Sequence, residues 1–334
     1  MAPRPGSRDV ARYAGVSQAT VSAVINKSRF VTEETRERVV QAIAELGYRP
    51  NAIARSLKTR SSQVIGVIIP SLASHWWASL VRTIDEAANA QGYRIFLAQT
   101  VDDPTREVRC VEEMVDHRVA GLILVPSVDA DPAATIETVQ SVPTVMLNRS
   151  SPYVDADSVV FADLAGARAA TEHLIGHGRR RIGAILQPQR NTPVRNRLLG
   201  YQEALRAAGL PSTLHVEART PTREDAERLT HELIAREPGL DALYVHSHSM
   251  TIGALAALEA LGRRIPEDVA LIGYDDMPWN DQLRVPLSVV HQDYRRAGSD
   301  AFGLLMRRLA EPDRPSEQIV LPQQHVYRRS CGCP

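Results

Sequence analysis

The chain has 334 residues, carries 39 basic and 39 acidic side chains for a formal charge of zero, and is 44% hydrophobic. That length exceeds one ordinary domain and suffices for sizeable cores, while no apolar run reaches the roughly 18 residues of a membrane span. The basic start MAPRPGSRDV lacks a following apolar stretch, which argues against a secretory signal and for a cytoplasmic protein with no membrane contact.

The charges are unevenly spread. Residues 1–60 hold eleven Arg and Lys against five Asp and Glu, whereas the remainder is acidic by the same margin. A basic module on an acidic body points to a polyanion met by the first part alone. That module reads as three helices. Asp9–Ala14 is broken by Gly15; Ser17 is an N-cap for Gln18–Ile25, with Val21, Val24 and Ile25 at helical spacing. Thr32 opens the third, which has Glu33 and Glu34 in its first turn and ends at Gly47. Then comes YRPNAIARSLKTRSSQ (48–63), either a flexible linker or a short helix that folds only on a partner.

Beyond it, apolar runs of strand length alternate with amphipathic stretches. VIGVII (64–69), RIFLA (94–98), GLILV (121–125) and TVMLN (144–148) form one series. RIGAIL (181–186), ALYVH (242–246) and VALIGY (269–274) form another, and Trp77–Gln91, Arg106–Arg118 and Ala167–His177 are examples of the intervening helices. Near-continuous apolar strands between helices indicate buried parallel sheets, here in two α/β lobes. Cys110 lies in a helical pattern. Cys331 and Cys333, in the terminal CGC, read as an ordinary short tail, because Cys-x-Cys supplies too few ligands for a metal. The pairs His173/His177 and His246/His248 also lack a third ligand and an acidic helper, so no metal is expected.

Ala11–x₃–Gly15–x–Ser17 followed by Thr20-Val21-Ser22 fits a helix-turn-helix, whose second helix offers small polar groups to base edges and phosphates. Joined together, DVARYAGVSQATVSAVIN (9–26), VTEETRERVVQAIAELGYRPNAIARSL (31–57) and VIGVIIP resemble the lactose-repressor (LacI/GalR) family. The resemblance continues, more loosely, through DLAGARAATEHLIGHGRRRIGAI (163–185), RLLGYQEAL (197–205) and IGYDDM (272–277). It implies an all-α helix-turn-helix headpiece with a hinge helix, joined to a two-lobed α/β, periplasmic-binding-protein-like domain with parallel sheets. The expected boundaries are 1–60 for the headpiece, with the hinge at 51–57, and 61–334 for the body. Within the body, the N-lobe would take about 61–161 plus 292–321 and the C-lobe about 162–291 plus 322–334.

The resemblance further implies that Gln18 and Ala19 face the major groove, with Ala23 one turn along. Ser17, Thr20, Ser22, Asn26 and Tyr48 would hold phosphates and register. Asn51, Ala52, Arg55 and Leu57 belong to the hinge, with Leu57 as an apolar wedge in the minor groove. Many relatives carry Arg where this chain has Ala23, so a guanine contact is lost.

For the cleft between lobes, the resemblance assigns Ser74, Trp76 and Trp77 in PSLASHWW (70–77), with Arg197 and Asp275 gripping ligand hydroxyls or carboxylates. An Arg197–Asp275 salt bridge is the structural alternative. Asn148 and His248 stand where relatives often have acidic groups, and Leu164 replaces a frequent Asn, so a common neutral hexose is not simply transferable. The implied partners are a pseudo-palindromic double-stranded operator, a small-molecule effector of carbohydrate type and a second copy of the chain in a homodimer. No cofactor is expected. An enzyme is disfavoured by the lack of a GxSxG, a Walker or a GxGxxG motif; a solute-binding protein by the basic headpiece; an architectural DNA binder by the cleft.

Overall fold

The computed structural model describes residues 5–26, 29–48, 62–128, 131–151 and 153–334. The chain divides into residues 1–62 and 63–334. In the first unit, α1 (Ser7–Ala14), α2 (Gln18–Asn26) and α3 (Glu33–Leu46) enclose a small core centred on Val10, Val21 and Val39. Helix α1 begins two residues before the expected Asp9, because that carboxylate sits inside the first turn and accepts the Gly6 N–H at 2.8 Å. Ser17 caps α2 as expected, its Oγ accepting Thr20 N–H at 3.1 Å. Gly15 and Gly47 close α1 and α3 in left-handed conformations. The expected hinge residues Asn51, Ala52, Arg55 and Leu57 lie outside the described residues.

The second unit holds two six-stranded sheets. The first comprises β1 (Val64–Ile69), β2 (Arg94–Gln99), β3 (Gly121–Leu124), β4 (Thr144–Leu147), β5 (Asp157–Phe161) and β11 (Gln318–Leu321). Their order is β11-β5-β4-β3-β1-β2, and every pairing is parallel. Strands β1, β3 and β4 are apolar along almost their whole length, as burial on both faces requires. Helices α4 (His75–Ala90), α5 (Pro104–Asp116), α6 (Pro132–Ser141) and α11 (Tyr294–Ala310) accompany this sheet. Asp103 and Asp131 start α5 and α6 just before a first-turn proline, Asp103 accepting two backbone N–H groups and Asp131 one.

The second sheet comprises β6 (Ile182–Leu186), β7 (His215–Glu217), β8 (Ala242–Val245), β9 (Ala270–Tyr274), β10 (Ser288–His291) and β12 (Gln324–Val326). Its order is β12-β10-β9-β8-β6-β7, and only β12 runs antiparallel. It carries α7 (Asp163–Gly176), α8 (Thr192–Ala207), α9 (Arg223–Arg236) and α10 (His248–Ala260). Helices α7 and α8 touch backbone to backbone at Gly200, where a Cβ would meet Leu164 O at 2.2 Å. The chain crosses between sheets three times: after Phe161, after His291 and after Leu321.

Two readings are corrected here. Residues after Tyr327 are not a loose tail: Ser330 and Cys331 are fully buried in a 3₁₀ turn, Arg329–Cys331. Ser330 Oγ donates to Leu271 O and accepts Ser288 N–H, both at 2.7 Å, which pins the turn to β9 and β10. Strand β8 also stops at Val245, one residue short of the expected ALYVH; Ser247 caps α10, and His248 is its first residue.

Candidate functional site

In the headpiece, Ser17, Gln18 and Ala19 are exposed at the start of α2, and Thr20 and Ser22 are half-exposed. Ser17 Oγ and Thr20 Oγ1 lie 2.9 Å apart, and Thr20 Oγ1 also accepts from Arg29 at 3.3 Å. Gln18 donates to Ser7 Oγ at 2.7 Å, an exposed contact that a base edge could displace. Tyr48 packs against the headpiece core. Ala23 departs from expectation: it is 3% exposed, so its methyl is withdrawn from the surface offered by its neighbours. The Asn26 side chain lies outside the described residues. Arg29 and Phe30 went unremarked in the sequence; Phe30 is 91% exposed beside Ser17 and Thr20.

The second site stands at the carboxyl ends of the strands. Among the described residues, buried polar atoms without a protein hydrogen-bond partner include Ser127 Oγ after β3 and Asn148 Oδ1 after β4. In the other sheet they include both ring nitrogens of His246, and His248 Nδ1, after β8. Asp275 Oδ1 and Asn280 Oδ1 follow after β9, and His291 Nδ1 and Gln292 Nε2 end β10. Elsewhere among the described residues, Arg179 Nε shares that condition. Each such group costs about 1–3 kcal/mol when left unpaired. Their gathering at the ends of two open α/β sheets is the placement of a ligand crevice.

Among the described residues, two of the five non-glycine residues with positive φ stand at the same places, the others being Val101, Asp102 and Arg118. Asn148 and Asp275 adopt φ of 64° and 66°, a left-handed conformation that side chains other than glycine seldom take. Strain of this kind concentrates where a side chain must be held for a ligand.

Arg197 is 6% exposed, and its partner is not Asp275. Its Nε donates to Asp163 Oδ1 at 2.7 Å, its Nη1 donates to His246 O at 2.8 Å, and its guanidinium lies 3.9 Å from the Tyr274 ring centre. The Gly200 contact between α7 and α8 brings the two charges together, which sequence reading missed because Asp163 was singled out only as a motif residue. Gln323 also donates to Asp163, at 2.8 Å, and accepts from Tyr274 OH at 3.1 Å. Asp163 and Gln323 each lie at a crossing between sheets, so this network clasps two of the three.

Asp275 therefore has no ion-pair partner among the described residues, and burial lifts its carboxyl to about 6, against the pull of Arg197. Burial holds His246 well below the usual imidazole range, reinforced by Arg197, and lowers His248 and His291 as well. The three rings are thus neutral at pH 7, each with one donor and one acceptor nitrogen.

The aromatic assignments divide. Trp76 is a core residue: it is 4% exposed, packs edge-on to Phe161 and Trp77, and donates Nε1–H to Gln292 O at 3.1 Å. Trp77 is half-buried beside it, and Ser74 is exposed before α4. The more accessible indole is Trp279, 42% exposed and edge-on to both His75 and His248 at 5.9 and 5.6 Å.

Comparison with known proteins adds the lineage. Residues 8–51 match bacterial regulatory proteins of the lacI family, and residues 171–331 match a periplasmic binding protein-like domain. The chain is 34% identical over 330 residues to the HTH-type transcriptional repressor PurR of Haemophilus influenzae, covering 97% of each. It is also 34% identical to the ribose operon repressor of Escherichia coli, covering 94% and 96%. A solved lac repressor dimer, bound to operator and the anti-inducer ONPF, superposes with a TM-score of 0.90 at 28% identity, covering 98% and 99%. A CelR–cellobiose complex superposes with 0.74 at 32% identity, covering 98% and 100%.

Proposed function

From the lacI family of bacterial regulatory proteins, to which this chain belongs, we propose a repressor whose operator affinity is set by a sugar or sugar derivative held at the strand ends. The chain is a sequence-specific DNA-binding transcriptional regulator and not an enzyme. Its partners are operator DNA, a small molecule and a second copy of itself. We place it in the cytoplasm, associated with the nucleoid.

The observation that carries the effector reading is the set of unpartnered buried polar atoms at the ends of β3, β4, β8, β9 and β10. Neutral imidazoles, amides and a hydroxyl around one carboxylate suit a neutral polyhydroxylated ligand, with Asp275 and Arg197 taking hydroxyls and Trp77 or Trp279 lying against a ring face. His248 and Asn148 would complete the polar set, and Ser74 would border it. Trp76 supports Trp77 rather than touching ligand. The carbohydrate class rests on this polar set and on the ribose and cellobiose named for two of the similar proteins. A thermal-shift screen tests it: a sugar should raise the melting temperature, while a response confined to purines would overturn the carbohydrate class.

On DNA, Ser17, Gln18, Ala19, Thr20 and Ser22 would meet bases and phosphates in the major groove, with Asn26 and Tyr48 holding register. Buried Ala23 would contribute little. Asn51, Ala52, Arg55 and Leu57 would form the minor-groove element, with Leu57 inserted between base pairs. Leu57→Ala should weaken operator binding and bending while leaving effector affinity unchanged. An unaltered gel-shift titration would remove Leu57 from that role.

Coupling follows from the clasp. A ligand that engages Arg197 and Asp275 pulls on the Asp163–Gln323 contact between crossings, so it prefers one arrangement of the lobes. Rotation of the lobes would then reset the spacing of two hinge segments in a dimer, releasing or securing the headpieces.

A further inference from the structure

Far from the strand ends, the fold brings together four side chains that sequence spacing separates by more than 150 positions. His173 lies in the last turn of α7 and His177 caps that helix, with ring centres 4.5 Å apart. Opposite them stands the Cys331-Gly332-Cys333 turn, whose cysteines are free thiols. His173 Nε2 is 3.3 Å from Cys331 Sγ and 3.5 Å from Cys333 Sγ, and His177 Nε2 is 3.5 Å from Cys333 Sγ. The ligand atoms of His173, Cys331 and Cys333 all lie within 4.8 Å of one another.

For His173, Cys331 and Cys333 these are the dimensions of a coordination shell, and His177 adjoins it through its Nε2 contact to Cys333. Tetrahedral zinc, about 2.3 Å from sulfur and 2.0–2.1 Å from nitrogen, has nitrogen–sulfur edges of about 3.6 Å. We propose that His173, His177, Cys331 and Cys333 bind one structural Zn²⁺ per chain, stapling the C-terminus to α7. Two imidazole nitrogens and two sulfurs favour zinc over magnesium or calcium, and four protein donors leave no open position for catalysis.

The surroundings are built to hold this set. Gly332 has φ of 101°, a conformation side chains other than glycine seldom adopt, and a Cβ there would lie in van der Waals contact with the His177 ring at 3.4 Å. The Tyr327 ring stacks flat on His173, with centres 3.5 Å apart and 4° between planes, fixing the imidazole's direction. Cys331 is anchored by the buried Ser330 turn, so one ligand is preplaced before metal arrives. Binding converts both thiols to thiolates and releases two protons, one of them now donated by Cys331 to Arg328 O at 3.1 Å. The staple secures the far end of the helix whose first residue, Asp163, holds Arg197.

The test uses the full chain, purified under a thiol reductant, stripped with a chelator and titrated with Co²⁺ and then Zn²⁺. One Co²⁺ should produce the intense visible bands of a tetrahedral site and a sulfur-to-metal charge-transfer band, both erased by one Zn²⁺. Zn²⁺ should also raise the melting temperature of the second unit. The double variant Cys331→Ser/Cys333→Ser should lose the bands, the stoichiometric zinc and the thermal shift. His177→Ala changes an exposed residue and keeps the readout should the double variant fold poorly. It should weaken zinc by at least the roughly 10–100-fold that follows loss of a supporting group. Absence of tetrahedral bands in the parent chain, or equal zinc binding in either variant, would overturn the site.

Discussion

Asp275→Asn is expected to stabilise the effector-free protein by about 2–3 kcal/mol at pH 7 and to remove its response to effector. The carboxyl is buried, has no ion-pair partner among the described residues and titrates at about 6 instead of the usual 3.8. Each pKa unit corresponds to about 1.4 kcal/mol. Because the folded pKa is raised, the folded state holds the extra proton between those two values, and stability falls as pH rises through that window. Above it, the wild-type protein carries the whole cost of a buried charge. An amide keeps the shape and hydrogen-bonding capacity without the charge. The melting temperatures of variant and parent should therefore converge near pH 4 and separate by pH 7. Equal melting temperatures at pH 7 would show that Asp275 is already compensated in the free protein. The trade of stability for a ligand-ready carboxylate is what a binding residue, and not a structural one, would display.

Asp163→Ala is expected to have the opposite sign and a larger size. It strips the charge partner from a guanidinium that is 6% exposed, leaving it the His246 carbonyl and the Tyr274 ring. Breaking one side of a buried ion pair costs about 3–5 kcal/mol, on the order of 10 °C in melting temperature for a unit of this size. The same change releases Gln323, undoing the clasp between crossings. Effector affinity should fall together with stability. Asp163→Asn, which preserves the hydrogen-bonding shape but not the charge, should lose less. A neutral outcome for Asp163→Ala would mean that Arg197 finds solvent or another acceptor, and the clasp would have no role in coupling.

The fold was largely legible because its strands are read by burial. VIGVII, GLILV and ALYVH have no polar face to misplace, and the structure ends them within one residue of expectation. The strands that escaped are β5, β7, β10, β11 and β12. Of these, β7, β11 and β12 carry polar residues at sheet edges, where the apolar signal fades.

For the candidate site, sequence offers positions but not their partners. Arg197 and Asp275 carry chemistry that a motif can flag, yet the Asp163–Arg197 pair depends on how closely Gly200 lets two helices approach. Trp76 and Trp77 look alike in sequence. Helical periodicity turns one into the core and leaves the other half-exposed. The nearness of His173 and His177 to Cys331 and Cys333 was not legible, because the histidines stand far back in the chain, where no local spacing rule reaches.

The central claim is that one small molecule and one operator communicate through this chain. The direct measurement is a pair of equilibrium titrations: operator affinity with and without saturating effector, and effector affinity with and without operator. Effector should change operator affinity by about 5–150-fold, and operator should change effector affinity by the same factor. An effector that binds tightly at the strand ends while leaving operator affinity unchanged would contradict it.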